Sequence, residues 1–241
     1  MAATLSPETL EELRSLGTCV VSNAIEKFGV RLRNEGFTDP TIRCMFPRQP
    51  AIIGYAATGR IRSDMAPVGA PASSVETGVF LERTDWWDYI LSVPGPRIVA
   101  LQDIGSHPGK AAFWGKVHAN IHLRLGCAGA VTNGAARHIN QIQPIGFQLF
   151  ASGVSVSHGY VHLIDFGERV EVGGLPISPG DVLLGDQHGI LQIPHEIADD
   201  IPKVANEIEG QKRRIIDFCR SAEFSVERLR QLVNAPETQK K

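Results

Sequence analysis

The sequence predicts a mixed α/β fold whose second half is rich in strands. Three observations support this prediction. Strand and helix patterns alternate between residues 97 and 153, which is typical of parallel strands covered by helices. From residue 154 to 194, short apolar segments separated by glycine turns predict further strands. Helical patterns occupy both ends of the chain.

The first 74 residues predict two helices, a strand and two loops. The first helix begins at Ser6, because a serine cap followed by proline and an acid is typical of a helix start. The second begins near Ser22 and ends at Gly29, which suits a left-handed stop. Residues 31–50 predict a connecting loop, residues 51–61 a strand and residues 63–74 a loop of small residues.

The middle of the chain predicts three strands and three helices. The expected helices are residues 84–93, 113–126 and 135–146, and the expected strands are residues 97–104, 127–134 and 147–153. In the second of these helices, apolar residues at three- and four-residue spacing predict one buried face. That face consists of Trp114, Val117, Ile121 and Leu125.

The last third of the chain predicts strands and then helices. The strands are expected in residues 154–166, 169–174, 175–186 and 189–194. A charged helix from His195 to Cys219 and a short helix near Val226–Leu232 follow, and residues 236–241 predict a disordered tail. Because no long linker interrupts the pattern, one domain over residues 1–241 is expected.

Composition limits the classes of function. The chain has 241 residues, 43% of them hydrophobic, and a formal net charge of -2. This balance argues against nucleic-acid binding, which needs a basic surface. There is no apolar run of about 20 residues and no signal-peptide pattern, so no membrane partner is expected. The four cysteines form no CxxC pair and are expected to be reduced thiols of a cytoplasmic protein.

The segment around Gly115 is the first candidate site. Gly115 stands where a helix is expected to begin, and the free amides of a first helical turn favour a carboxylate or phosphate. Alternatively, Gly115 only eases packing beside Trp114. Motifs for dinucleotides, nucleotide phosphates, serine hydrolases and zinc proteases are absent from the sequence.

A second candidate site lies between an expected strand and an expected helix, where ligands bind in α/β sheets. Arg137 offers a planar fork for a carboxylate or an enolate oxygen. His138 is a candidate metal ligand or proton carrier. The two residues are equally consistent with a surface pair on a helix.

Other histidines are weaker candidates. If residues 154–166 form one strand, then His158, Tyr160 and His162 project to one face, and the two imidazoles are about 13 Å apart, too far to chelate one ion. A polar face or a subunit contact is the simpler interpretation. No role is assigned to the remaining four histidines, which are expected in loops, in packing or at the surface: His107, His122, His188 and His195.

Four segments, taken in order, resemble the RraA-like family. They are FWGKVHAN, GAVTNGAARH, GFQLFASG and VEVGGLPISPGDVLLGDQHGILQIP, and the resemblance spans about residues 16–210. This family includes the regulator of ribonuclease activity A and the 4-hydroxy-4-methyl-2-oxoglutarate aldolases. The resemblance implies a three-layer β/β/α sandwich of the swivelling-domain type, with residues 196–232 as a C-terminal helical extension. It also implies a homotrimer or hexamer with active sites between subunits.

The resemblance also implies a site for a small 2-oxo acid. The carboxylate of pyruvate would bind the backbone amides of Gly115, Lys116, Val117 and His118, while Arg137 would contact the substrate and a water. A divalent metal ion, usually Mg²⁺, has one direct protein ligand in the aldolases, an aspartate directly after that arginine. In this chain His138 stands at the position of that aspartate.

This departure leaves three alternatives. Mg²⁺ prefers oxygen ligands, and Asn133 and Asn23 also stand where many relatives carry aspartate. Either a softer metal binds His138, or the chemistry needs no metal, or catalysis is lost. Glu207 and Glu209 are candidates for an acid supplied by a neighbouring subunit.

The expected function is a lyase that cleaves a C–C bond of a small 2-oxo acid through a pyruvate enolate. It would be an aldolase or an oxaloacetate decarboxylase, with Arg137 and His138 as its catalytic residues. The alternative is a non-catalytic regulator that binds a ribonuclease or another protein on the same scaffold.

Overall fold

The computed structural model describes residues 4–66 and 84–234. Most of the predicted loop over residues 63–74 and the predicted tail over residues 236–241 therefore lie outside the described residues. Seven α-helices are present in the described part: α1 (Pro7–Leu16), α2 (Thr18–Phe28), α3 (Asp85–Ser92), α4 (Lys116–Arg124), α5 (Ile139–Ile142), α6 (Ile201–Arg220) and α7 (Val226–Asn234). None of these helices combines the length and the apolar run needed to cross a bilayer.

The described strands form one large sheet, a small parallel sheet and a hairpin. They are β1 (Arg43–Cys44), β2 (Ile52–Arg62), β3 (Arg97–Asp103), β4 (Ala112–Trp114), β5 (Cys127–Thr132), β6 (Ala135–Ala136), β7 (Gln148–Ala151), β8 (Gly153–Val154), β9 (His162–Phe166), β10 (Val170–Val172), β11 (Leu175–Ile177), β12 (Val182–Asp186) and β13 (Gly189–Ile193). The large sheet has the order β1-β7-β5-β3-β2-β12-β13, and β9 also pairs with β2.

The centre of the large sheet is parallel, as the strand–helix alternation predicts. Strands β2, β3, β5 and β7 run in the same direction. Antiparallel pairs surround them: β1 with β7, β9 and β12 with β2, and β13 with β12. The carboxyl ends of the parallel strands therefore meet at one edge. Each strand of the small sheet follows one of these strands in the chain: β4 follows β3, β6 follows β5 and β8 follows β7. The small sheet is parallel throughout.

Successive residues of the central strands supply two separate apolar clusters, one on each face. Val99 and Leu101 belong to the cluster packed against the helices. Ile98 and Ala100 belong to the second cluster, which includes all four buried apolar residues of the β10–β11 hairpin. This alternation is what a strand buried on both faces requires. The layers are thus hairpin, sheet and helices, which confirms the predicted β/β/α sandwich with a C-terminal helix.

The two N-terminal helices form for different reasons. The Oγ of Ser6 accepts a hydrogen bond from the amide of Thr9 (3.0 Å), which confirms the predicted cap of α1. Helix α2 begins at Thr18 rather than near Ser22, because Asp186 in β12 accepts hydrogen bonds from the amide and the hydroxyl of Thr18, both at 2.8 Å. No local pattern shows a cap that comes from so distant a part of the chain.

The predicted helix over residues 113–126 is wrong at its start and in its buried face. Trp114 ends strand β4, and α4 begins at Lys116. The buried residues of α4 are Ala119 and His122, whereas Val117 is 39% exposed. A histidine on the buried face breaks the apolar spacing from which the face was predicted.

The predicted elements between residues 135 and 166 are shorter than expected. The helix predicted from residue 135 begins only at Ile139, because Ala135–Ala136 joins the small parallel sheet. The strand predicted over residues 154–166 is confirmed only at its two ends, in β8 and β9. His158 and Tyr160 lie in the loop between them, so the predicted common face with His162 is wrong.

The C-terminal helices agree with prediction apart from their bounds. A short 3₁₀ turn over His195–Ile197 precedes α6, which begins six residues later than expected. Helix α6 packs against α1 and α2, and its buried residues are Ile201, Pro202 and Ala205. Helix α7 has no buried residue.

Candidate functional site

The first turn of α4 presents free backbone amides. Gly115 precedes the helix in an extended conformation, and no side chain caps it. The amides of Lys116, Val117 and His118 therefore have no partner within the helix. Such a turn carries partial positive charge and favours an anion.

Arg137 and His138 lie directly against this turn. A Cβ atom added at Gly115 would lie 3.3 Å from Nδ1 of His138 and 3.6 Å from Nε of Arg137. The contact follows from the small parallel sheet, in which the amide of Arg137 donates to the carbonyl of Trp114 (2.9 Å). The structure thus brings together both segments in which the sequence predicts a site.

His138 has an unusual backbone and an unsatisfied nitrogen. Its φ of 59° and ψ of 38° place it in the left-handed region, and it is the one described residue other than glycine with positive φ. Its Nδ1 is buried without a hydrogen-bond partner. Desolvation and the nearby charges of Arg137 and Lys116 lower its pKa, so the imidazole is held neutral.

Two further histidines, His118 and His122, lie on α4 itself. His122 is fully buried, accepts a hydrogen bond from Nε1 of Trp86 (2.9 Å) and donates from Nδ1 to the carbonyl of His118 (2.7 Å). Burial lowers its pKa to about 3. The ring of His118 stacks on Phe113 at 4.3 Å, and burial, aided by Arg137, lowers its pKa to about 4.

Asp103 lies at the end of β3 and is absent from the sequence prediction. It is 1% exposed and accepts hydrogen bonds from the hydroxyl of Ser63 (2.6 Å) and the amides of Gly105 and Gly109 (both 3.0 Å). Asn133 accepts from its amide (2.6 Å) and donates to its carbonyl (3.0 Å), which ties β3 to the loop before Arg137. The sequence signal that could have identified Asp103 is an acidic residue at the end of an apolar strand.

The donor set around His138 does not fit Mg²⁺. The charged side chains that act on its imidazole are the cations Arg137 and Lys116, whereas Mg²⁺ needs oxygen ligands. Within residues 4–66 and 84–234, no group of three or more His, Cys, Asp or Glu side chains is placed to hold a metal ion. His138 as a ligand of a softer metal stays a prediction.

The structure does not gather the other candidates at this site. Asn23 lies in α2, which packs against α6 and β13. Glu207 is exposed on α6, and Glu209 on the same helix pairs with Lys212 at 3.0 Å. A role for either acid in a neighbouring subunit stays a prediction.

The chain is similar to a known family of proteins. The RraA-like (Aldolase/RraA) family matches residues 18–191. A putative 4-hydroxy-4-methyl-2-oxoglutarate aldolase of Halalkalibacterium halodurans is 31% identical over 98 residues, which are 39% of this chain and 47% of that protein. The chain spans between 21% and 67% of the length of the curated relatives it matches.

Two solved structures share the fold. One is a protein of Pseudomonas syringae pv. tomato, with a TM-score of 0.71, 22% identity and 95% of each chain covered. The other is RraAS2 of Streptomyces coelicolor, described as an unusual member of the RNase ES inhibitor RraA protein family. It has a TM-score of 0.67 and 18% identity, and the match covers 88% of this chain and 98% of that one. With the family match over most of its length, this chain belongs to the RraA-like family.

Proposed function

We propose that this protein is a lyase that cleaves a C–C bond of a small 2-oxo acid through a pyruvate enolate. The observation that carries the proposal is the contact of Arg137 with the uncapped first turn of α4. The turn offers amides for the substrate carboxylate, and the guanidinium offers donors for the neighbouring oxygen. The family includes aldolases, which supports this choice of reaction.

The site's charge suits the reaction. When the bond between C3 and C4 of a 4-hydroxy-2-oxo acid breaks, its electron pair moves onto the pyruvate fragment and gives an enolate with negative charge on the C2 oxygen. Arg137 donates hydrogen bonds to that oxygen, and Lys116 adds positive charge at the same turn. Protonation of C3 then gives pyruvate.

The remaining proton steps need a base for the C4 hydroxyl. At neutral pH the imidazole of His138 is neutral and can take this proton, leaving C4 as the carbonyl of the second product, and then return the proton to C3. In a decarboxylation of oxaloacetate the same enolate forms by loss of CO₂, and no base is needed. Both substrates therefore belong in the test.

The experiment is a coupled assay of pyruvate release from 4-hydroxy-4-methyl-2-oxoglutarate and from oxaloacetate. It is run without metal and with Mg²⁺, Mn²⁺, Co²⁺, Ni²⁺ and Zn²⁺ in turn. Turnover of either acid supports the proposal. No turnover of any 2-oxo acid under any of these conditions would contradict it.

The Arg137→Ala variant tests the role of the guanidinium. Removing one preorganised donor to an oxyanion costs roughly 10²- to 10³-fold in kcat, and we expect a loss of this size. Arg124→Ala is the matched control, because it removes an exposed arginine from the last turn of α4. Equal activity of the two variants would show that Arg137 does not stabilise the enolate.

A regulator is the second candidate, and it is favoured by one observation. The two cations beside His138 oppose binding of a metal ion at the position where the aldolases hold theirs. If no oxo acid is turned over, binding to a ribonuclease is the next measurement. A complex that persists in Arg137→Ala would favour regulation.

A further inference from the structure

A cavity lies at the opposite edge of the large sheet from Arg137. It encloses about 560 Å³, within the range of small-molecule sites. Tyr55 at the start of β2, Val182 at the start of β12 and Ile193 at the end of β13 line it. It shares no lining residue with the site at Gly115, Arg137 and His138.

The wall of this cavity contains a half-buried arginine. Nη1 of Arg31 donates to the carbonyl of Gln192 (2.9 Å), and Arg31 makes no ion pair with any residue in the described part of the chain. Its guanidinium lies so close to Gly36 that an added Cβ would be 1.9 Å from Nη1. A fixed guanidinium with uncommitted donors is suited to a carboxylate.

A second polar group in the wall lacks a partner. Nε2 of His195 is buried and makes no hydrogen bond. Because that atom has almost no accessible surface, a ligand in the cavity does not reach it. Asp181 offers no free acceptor at Oδ2, which already accepts from Gln192 (2.6 Å) and from the amide of Ser178 (2.7 Å).

The rest of the wall is apolar and fixed. Tyr55, Val93, Val182 and Ile193 are each buried to more than nine-tenths. The hydroxyl of Tyr55 accepts from the amide of Leu5 (2.7 Å), so its ring has a defined position. Such a wall favours a ligand with an apolar body.

The charges near Arg31 restrict the ligand further. Glu35 and Glu196 act on the guanidinium electrostatically and oppose the effect of burial on its pKa. One arginine among these acids suits a single negative charge better than a phosphate dianion. We propose that this cavity binds a small monocarboxylate with an apolar body, whose carboxylate pairs with Arg31.

The test is calorimetric titration of the full chain with hexanoate, methyl hexanoate and inorganic phosphate. Saturable binding of hexanoate is expected, and the neutral ester should bind at least about 10-fold more weakly. Equal affinity for acid and ester, tighter binding of phosphate, or no saturable binding of hexanoate would each overturn the proposal. This comparison needs no variant, so it does not depend on the folding of one.

Variants locate the binding. Arg31→Gln should weaken hexanoate binding about 10-fold, whereas Arg33→Gln removes an arginine that is 81% exposed and should leave it unchanged. Arg137→Ala should also leave it unchanged, because the two sites share no residue. Loss of hexanoate binding in Arg137→Ala, or its retention in Arg31→Gln, would contradict the assignment.

Discussion

At the scale of single residues, His138 decides what chemistry the site supports. Its left-handed backbone is sparsely populated by residues other than glycine, asparagine and aspartate. The position therefore accepts aspartate without added strain. The surrounding cations act on the side chain, since they favour a neutral or anionic group over a cationic one.

The first prediction follows from this position. His138→Asp supplies an oxygen ligand and a negative charge between Lys116 and Arg137, so we expect metal dependence to move toward Mg²⁺. The measurement is pyruvate release and bound metal across a series of divalent ions. His107→Asp is the control, because it makes the same change in an exposed loop residue. Unchanged metal preference in His138→Asp would show that this residue does not hold the ion.

The sequence was sufficient for part of the site. Gly115, Arg137 and His138 could be predicted, because glycine before a helix and an arginine after a strand are local signals. His122 and Asp103 could not, since their importance comes from burial against partners 30 to 40 residues away. A lone histidine on a helix gives no sign in sequence of a tryptophan that donates to it.

At the scale of elements, Asp186 shows how one part of the chain determines where another begins. Asp186 is the last residue of β12. Its carboxylate accepts hydrogen bonds from the amide and the hydroxyl of Thr18 and from the amide of His188 (2.9 Å). Burial alone would raise its pKa, but the hydrogen bonds from His188 and Thr18 outweigh burial and lower it. Helix α2 therefore has an ionised cap.

The second prediction concerns this cap. Asp186→Ala leaves the first turn of α2 without an acceptor and should lower the free energy of unfolding by about 2 kcal/mol. The measurement is urea denaturation at neutral pH. Asp200→Ala is the matched control, because Asp200 precedes α6 and makes no side-chain cap hydrogen bond. Equal losses in the two variants would show that Asp186 does not act as a cap.

At the scale of the whole molecule, the layers place the candidate site at Arg137 and the cavity at Arg31 at opposite edges of the large sheet. The alternation of strands and helices was enough to predict the parallel centre. It could not predict the small sheet, since strands of two or three residues such as β4, β6 and β8 carry no periodicity. That small sheet is what brings Arg137 to Gly115, so the assembled site depends on a feature that sequence patterns do not reveal.

The helix layer also makes the stability of the molecule depend on pH. His118 and His122 are neutral in the folded protein, with pKa values of about 4 and about 3. In the unfolded chain both have a pKa near 6.5. Below about pH 6.5 the unfolded chain therefore binds protons that the folded protein does not, and stability falls as pH falls.

His122→Gln tests this dependence. The glutamine amide retains an acceptor for Trp86 and a donor for the carbonyl of His118, but it does not titrate. Between about pH 6 and pH 4, each buried neutral histidine contributes up to about 1.4 kcal/mol per pH unit to the slope of stability against pH. We expect the slope measured by urea denaturation to become shallower by up to this amount in His122→Gln and to stay unchanged in His107→Gln. If both variants keep the slope of the unaltered protein, then burial does not hold His122 neutral in the folded protein.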